Sequence, residues 1–362
     1  MAQTRRNLLL ALFMLTSAPA TAEWRGVDLS YVNELEDCGA VYRDSDGPVD
    51  PYFLFARAGA NLVRLRLWVA PEWTDYSNLE DVRRSMKRAR DAGMQVLLDF
   101  HYSNDWAHPG KQLRPTAWPP ADDVDALARQ LAAYARETLQ TLEQSVGLPD
   151  IVSVGNEINT NLLVDEEEAE AAEIDWPRNA RLLNAGIRAV REAAEASGQP
   201  MDVMLHIAQP ENVQPWFDDA LAYGVTDFDV IGISYYPKWS QLPLSELRSV
   251  LGGLGKRYDR RFAIVETAYP WTLEGVDEAN NILGADSLVD GYPATPDGQA
   301  AFLAALRLSV ARAGGEGVIY WEPAWVSSSC ETRWGKGSHW ENATLLDFEH
   351  RLLPGAKALL DP

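Results

Sequence analysis

Cysteine is almost absent: Cys38 and Cys330 are the only two in 362 residues. One pair cannot staple a chain of this length, so the fold has to rest on its hydrophobic core. Their wide separation excludes a CxxC redox or zinc motif and leaves one disulfide or two buried thiols open. Positive charge is the second shortage. Lysine and arginine total 32 against 53 aspartates and glutamates, a formal net charge of −21. So acidic a surface repels phosphate backbones, and no nucleic-acid partner is expected. Long apolar runs are the third. The run at residues 8–15 is well short of the ~20 residues that span a bilayer. With Arg5 and Arg6 before it and Ala20-Thr21-Ala22 after it, it reads as an export signal over residues 1–22, cut before Glu23. The paired arginines hint at twin-arginine export, which the flanking residues fit poorly. The mature chain, 23–362, is then expected outside the cytoplasm, in periplasm or medium, without a membrane anchor.

Also missing are a low-complexity linker, an internal repeat, and a glycine-rich phosphate loop after the first strand. The first two absences favour one domain; the third argues against an open nucleotide-binding sheet. What is present is alternation. Short apolar runs at 25–29, 61–68, 94–101, 151–157, 202–207, 228–234, 262–267 and 317–321 read as strands. Amphipathic stretches between them read as helices at 77–93, 124–146, 179–196 and 299–313. In the first, Ser77 and Glu80 form a capping-box pair, Leu79, Val82, Met86 and Ala89 repeat at helical spacing, and Gly93 suits the C-terminal cap. Eight strands alternating with helices predict an α/β fold, a single (β/α)₈ TIM barrel whose long loops form a substrate cleft.

A barrel of this kind carries its site at the C-terminal strand ends, and there the polar residues collect. Asp28 ends the first strand; Arg64 and Arg66 share a face of the second, Asp99 and His101 of the third. Asn156 and Glu157 end the fourth, His206 the fifth, Tyr235 and Tyr236 follow the sixth, Glu266 ends the seventh, and Trp321 and Glu322 the eighth. Buried carboxylates are costly without partners, so this collection points to a built site. Two carboxyls flanking a bond are what glycosidic cleavage needs, one to give a proton and one to attack or to activate water. Glu157 and Glu266 would meet only in a closed barrel. Bland readings stand beside these: a strand-end glutamate is often a structural ion-pair member, Arg64 could simply neutralise Glu266, and His101 and His206 could be hydrogen-bonded core residues. Thirteen tryptophans are mostly core material, yet Trp68, Trp106, Trp239, Trp321 and Trp325 fall at or beyond strand ends, where flat rings hold sugars. Asn342-Ala343-Thr344 is a weak match to a glycosylation sequon.

These residues lie in segments that resemble the arabinogalactan endo-β-1,4-galactanases of glycoside hydrolase family 53. The likeness runs over nearly the whole mature chain: GVDLSYVNELEDCGAVYRD from Gly26, NLVRLRLW from Asn61, GMQVLLDFHYSNDWAHPGKQ from Gly93, VSVGNEIN from Val152, FDVIGISYYPKW from Phe228, VETAYPW from Val265, YPATPDGQ from Tyr292 and YWEPAW from Tyr320. No single word decides; eight in order do. The resemblance implies a secreted, endo-acting, retaining enzyme on the β-1,4-galactan side chains of pectin. Glu157 would be the acid/base and Glu266 the nucleophile. Asn156 would touch the sugar 2-hydroxyl, Arg64 support the nucleophile, and Trp321 floor the reacting subsite beside Tyr236. Asp28, His101 and His206 would complete the immediate surroundings of the reacting groups; Trp68, Trp106 and Trp239 are expected to bind substrate from their own place at strand ends. No cofactor is required. Some bacterial relatives carry a structural calcium between the last two long loops. Asp277, Asn280, Asp286 and Asp290 offer suitable oxygens, but their spacing gives no match, and a solvated acidic loop is the simpler reading. A β-mannanase or cellulase of the same clan is the alternative, followed by a catalytically dead sugar-binding barrel. A monomer is expected. Cys38 and Cys330 follow the first and eighth strands, neighbours in a closed barrel, and are expected to pair.

Overall fold

Eight parallel strands close on themselves in the order β1-β8-β7-β6-β5-β4-β3-β2. They are β1 (Trp24–Asp28), β2 (Leu62–Leu67), β3 (Gln95–Phe100), β4 (Ile151–Val154), β5 (Asp202–Ala208), β6 (Val230–Ser234), β7 (Arg261–Glu266) and β8 (Gly317–Tyr320). The computed structural model describes residues 23–166 and 173–362; the expected export signal at 1–22 lies outside them. The helices are α1 (Pro51–Arg57), α2 (Leu79–Asp91), α3 (Val124–Ser145), α4 (Trp176–Ser197), α5 (Pro210–Ala222), α6 (Leu244–Tyr258), α7 (Pro296–Ala313) and α8 (Pro354–Leu360), with a short helix, Val32–Asp37, in the loop after β1.

Period-two alternation explains both the core and the site. Inward residues near the strand starts are apolar: Trp24, Leu62, Leu97, Ile151, Met204, Val230, Ala263, Val265 and Ile319 form one cluster inside the barrel. The outward residues pack on the helices in a second, larger cluster. Further along each strand the inward positions turn polar. Leu62 gives way to Arg64 and Arg66, Leu97 to Asp99 and His101, Met204 to His206, and Val230 to Ser234, all buried. Bulky neighbours need room inside, and Gly26 and Gly232 provide it. A Cβ at Gly26 would lie 2.5 Å from the Ile319 side chain, and one at Gly232 2.7 Å from the Met204 sulfur.

The sequence-based elements hold with four corrections. The 77–93 helix is capped by Asn78, whose side chain accepts from the amides of Glu80 and Asp81; Ser77 sits outside at φ 54° and its amide donates to Asp81, so the pairing is Asn78/Asp81 rather than Ser77/Glu80. The fourth strand stops at Val154, three residues early. Helices α1, α5, α6 and α8 were not legible, because α1 and α8 are only seven residues long, Pro215 interrupts α5 and Gly252, Gly253 and Gly255 dilute α6. The sequon asparagine, Asn342, is buried and donates to the carbonyls of Thr272 and Leu283, which takes it out of reach of glycosylation.

Cys38 and Cys330 form a disulfide, joining the loops after β1 and β8 as expected. Two of the four candidate calcium ligands have other partners. Both oxygens of Asp277 are engaged, one with the Ala279 amide and one with the Ser327 hydroxyl and Ser338 amide, while Asp286 pairs with Lys238. These hydrogen bonds tie the loop after β7 to the loop after β8 directly. Among the described residues no helix is long and apolar enough to cross a membrane.

Candidate active site

Two local departures from regular strand geometry aim the glutamates. Along β7 alternation would put Glu266 on the outer face with Ile264. The register with β6 slips there: Ile233 faces Ile264, but Ser234 faces Glu266. One extra residue on β7 makes a bulge and turns Glu266 inward. After β4, Gly155 (φ 93°) and Glu157 (φ 46°) both adopt left-handed backbone. A Cβ at Gly155 would also lie 2.5 Å from Ile158, so this turn requires glycine. It lets two consecutive side chains, Asn156 and Glu157, face the same cavity. The Gln112 side chain holds it by donating to the Asn156 and Glu157 carbonyls at 2.9 and 3.0 Å. Tyr102, Gln209 and Glu322, each just past a barrel strand, share the positive φ, and this strain gathers around one mouth.

A carboxylate oxygen of Glu157 and one of Glu266 lie within 4.8 Å of each other. Arg64 supports Glu266, 2.6 Å from its Oε1, and the Tyr236 hydroxyl donates to its Oε2 at 3.0 Å. The same guanidinium reaches Asp28 at 2.5 Å, Asp99 at 2.6 Å and Asn156 Oδ1 at 2.7 Å. Glu157 has a different partner: its Oε1 is 2.7 Å from Ser234 Oγ, which is 2.8 Å from His206 Nε2. His206 Nδ1 is 2.9 Å from Asn156 Oδ1. His101 accepts the Ala107 amide on Nδ1 at 3.0 Å and stands 3.4 Å from Asp99 through Nε2.

Burial pushes both carboxyls above the usual carboxylate range, Glu157 against the Ser234 hydrogen bond and Arg64, and Glu266 against Arg64 with Glu157 adding to the rise. Carboxyls this close titrate as a pair, and the two steps belong to both. The donors decide which ionises first. Glu266 alone receives a guanidinium and a phenol hydroxyl, charge-assisted bonds that favour its carboxylate, so the proton that remains is on Glu157. Burial also lowers both histidines, His206 to about 3 with help from Arg64. Burial would raise Asp99, but Arg64 holds it at about 2. Glu157, His206 and Glu266 could in principle hold a metal. Both ring nitrogens of His206 are, however, already hydrogen-bonded, so it has no lone pair to spare.

The cleft over these groups is about 500 Å³ and walled by Trp106, Tyr236, Trp239, Trp321 and Trp340. A second hollow of about 460 Å³ shares Trp106, Trp321 and Ile282 with it and adds Tyr31, Trp325 and Trp334. Of the expected site residues, Trp106, Asn156, Glu157, Tyr236, Trp239, Glu266 and Trp321 line the cleft. Asp28, Arg64, His101 and His206 lie buried beneath it and reach it through Asn156 and Glu266. Trp68 is also buried, packed on Trp106 at 5.2 Å; it supports the wall rather than forming it. Sequence reading missed Trp340, Gln209 and Asn212, which line the cleft, and Ser234 beneath it. Ser234 could have been found, since it ends a strand beside that of His206. Trp340 lies deep in the loop after β8, where no periodicity marks a direction.

The model of "Glycosyl hydrolase family 53" matches residues 24–359. An arabinogalactan endo-β-1,4-galactanase of Cellvibrio japonicus is 51% identical over 340 residues, 94% of this chain and 90% of that protein. The family 53 catalytic domain of Ignisphaera aggregans superposes with a TM-score of 0.85 at 30% identity, over 94% of this chain and 96% of that one. A fungal β-1,4-galactanase gives 0.79 at 30%, over 94% and 99%.

Proposed function

The chain belongs to glycosyl hydrolase family 53, and we propose from that membership that it is an endo-acting β-1,4-galactanase working on galactan and arabinogalactan by two displacements with retention. One observation carries the mechanism: one oxygen of each carboxyl lies within 4.8 Å of the other's, with one group fed by Arg64 and Tyr236 and the other by Ser234. Retaining enzymes place the pair about 5–5.5 Å apart, whereas an intervening water needs roughly 6.5–9.5 Å. Glu266, held ionised, attacks the anomeric carbon and forms the glycosyl-enzyme. Glu157 gives its proton to the leaving oxygen, then takes one from the water that releases the sugar. Its pKa falls between the steps, because the charge on Glu266 is consumed. Asn156, fixed by Arg64 and by its own bond to the Ala107 carbonyl, meets the 2-hydroxyl in this reading. The tryptophan walls hold the flat faces of the rings. No step calls on a cofactor. The same reading includes a single catalytic domain over 23–362, acting as a monomer after export.

Reducing-sugar release from galactan, but not from mannan or cellulose, is the expected substrate result; equal release from mannan would move the enzyme to another specificity. Proton NMR in the first minutes of digestion should show products born as β-anomers, and initial α-products would exclude Glu266 as nucleophile. Glu266→Ala should lose roughly 10⁴-fold or more on every substrate. Glu157→Ala should keep the first step on substrates with good leaving groups and recover its second step with azide.

A further inference from the structure

Between Glu157 and His206 stands one hydroxyl, Ser234 Oγ, 2.7 Å from the first and 2.8 Å from the second. It is wholly buried and has one proton to donate. The His206 tautomer follows from its surroundings. Asn156 donates through Nδ2 to the Ala107 carbonyl, so its Oδ1, which also receives Arg64, is the atom facing His206 Nδ1. An oxygen there requires a proton on Nδ1. Burial and Arg64 keep the ring neutral, leaving Nε2 bare and in need of a donor. Ser234 is the hydroxyl at that distance. If it donates to His206, its oxygen can only accept from Glu157, which must then carry the proton.

We propose that Ser234 is a positioning residue that holds Glu157 in its protonated form before the first displacement and turns to hold the carboxylate after it. This rests on the reading of Glu157 as the acid/base. In the resting chain each proton has a place: Glu157 O–H to Ser234 Oγ, Ser234 O–H to His206 Nε2, His206 Nδ1–H to Asn156 Oδ1. When Glu157 gives its proton to the leaving oxygen, Ser234 rotates its O–H onto the new carboxylate, and His206 Nε2 is left without a donor. A buried bare acceptor is costly, so the carboxylate form is disfavoured until water returns a proton and the hydroxyl turns back.

The other groups around Glu157 are charged or titratable on every side: Arg64 on β2, Asp99 on β3 and His101 just beyond it, His206 on β5, Tyr236 beyond β6 and Glu266 on β7, with Asp28 on β1 behind Arg64. None of these donates to or accepts from both Glu157 and His206. Removing Ser234 therefore has a sign that differs from that of an ordinary donor. A plain hydrogen-bond donor to a carboxylate lowers its pKa, and its loss would raise it. Loss of the relay does the reverse, because a water in the vacated space has two protons and can satisfy Glu157 and His206 together.

The test is the pH dependence of kcat/KM on galactan. Ser234→Ala should move the alkaline limb down by roughly half to one pH unit and leave the acid limb in place; Ser234→Thr, which restores one hydroxyl, should return it. An alkaline limb that rises or stays put in Ser234→Ala overturns the relay. In the unaltered protein, ¹⁵N NMR should find His206 protonated on Nδ1 and bare on Nε2 from pH 5 to 8. An imidazolium, or a proton on Nε2, overturns it equally. Azide rescue of Glu157→Ala reports on the acid/base role alone. Rescue with an unmoved Ser234→Ala limb would reject the relay and keep the role.

Discussion

Arg64 does more than neutralise one carboxylate. Its fork spans Asp28, Asp99, Asn156 and Glu266, so it sets the charge of the proposed nucleophile and the orientation of the neighbouring amide together. Lysine is a point charge and cannot span these positions. Arg64→Lys is expected to cut kcat by about 10²–10³-fold and to move the acid limb of the pH profile upward, since the opposing charge that favours ionised Glu266 is weakened. In the unaltered enzyme that profile should be a bell. Activity is lost on the acid side as Glu266 gains a proton and on the alkaline side as Glu157 loses its own, so a single-limbed profile would contradict the division of roles. Arg66 works on the walls instead. It is paired with buried Glu322 and lies 4.0 Å from the Tyr31 ring and 4.4 Å from Trp106. The identities and general location of these residues were legible in sequence. Their depth was not, because alternation says which face a side chain takes and nothing about whether a tryptophan from another loop will cover it.

At the scale of elements, the glutamates owe their aim to irregularity: the bulge on β7 and the left-handed turn after β4. Gly155→Ala should therefore reduce activity sharply, by its clash with Ile158 and its φ, and a variant with full activity would show that the turn is not required. The loops are joined crosswise. The disulfide binds the loop after β1 to that after β8, and Asp277 with Glu341 binds the loop after β7 to the same one. Closing a loop of nearly the whole chain gives a disulfide a large entropic effect. Cys38→Ser with Cys330→Ser should lower Tm by roughly 5 °C, read by calorimetry. Because the Asp277 oxygens are engaged by amides and a hydroxyl, a chelator should leave Tm unchanged; a fall on chelation would mean that these loops rearrange around a cation.

The whole molecule carries a net charge of −21, and its proposed substrate is neutral. Long-range steering has nothing to act on, so kcat/KM should vary little between low and moderate salt; a steep salt dependence would point to a charged substrate instead. The amino-acid sequence by itself determined the eight strands, the polar residues collected at their C-terminal ends and the family resemblance, because short apolar runs and motifs are local properties of the chain. It also placed two glutamates at strand ends. The tertiary structure decided what local rules cannot: a one-residue slip between β6 and β7 that reverses the face of Glu266, a turn that brings Asn156 and Glu157 into one cavity, and a barrel closure that joins Cys38 to Cys330. It also decided that one serine hydroxyl stands between a carboxyl and an imidazole from different strands. Each of these depends on contacts between segments tens to hundreds of residues apart, which the alternation of a single strand does not encode.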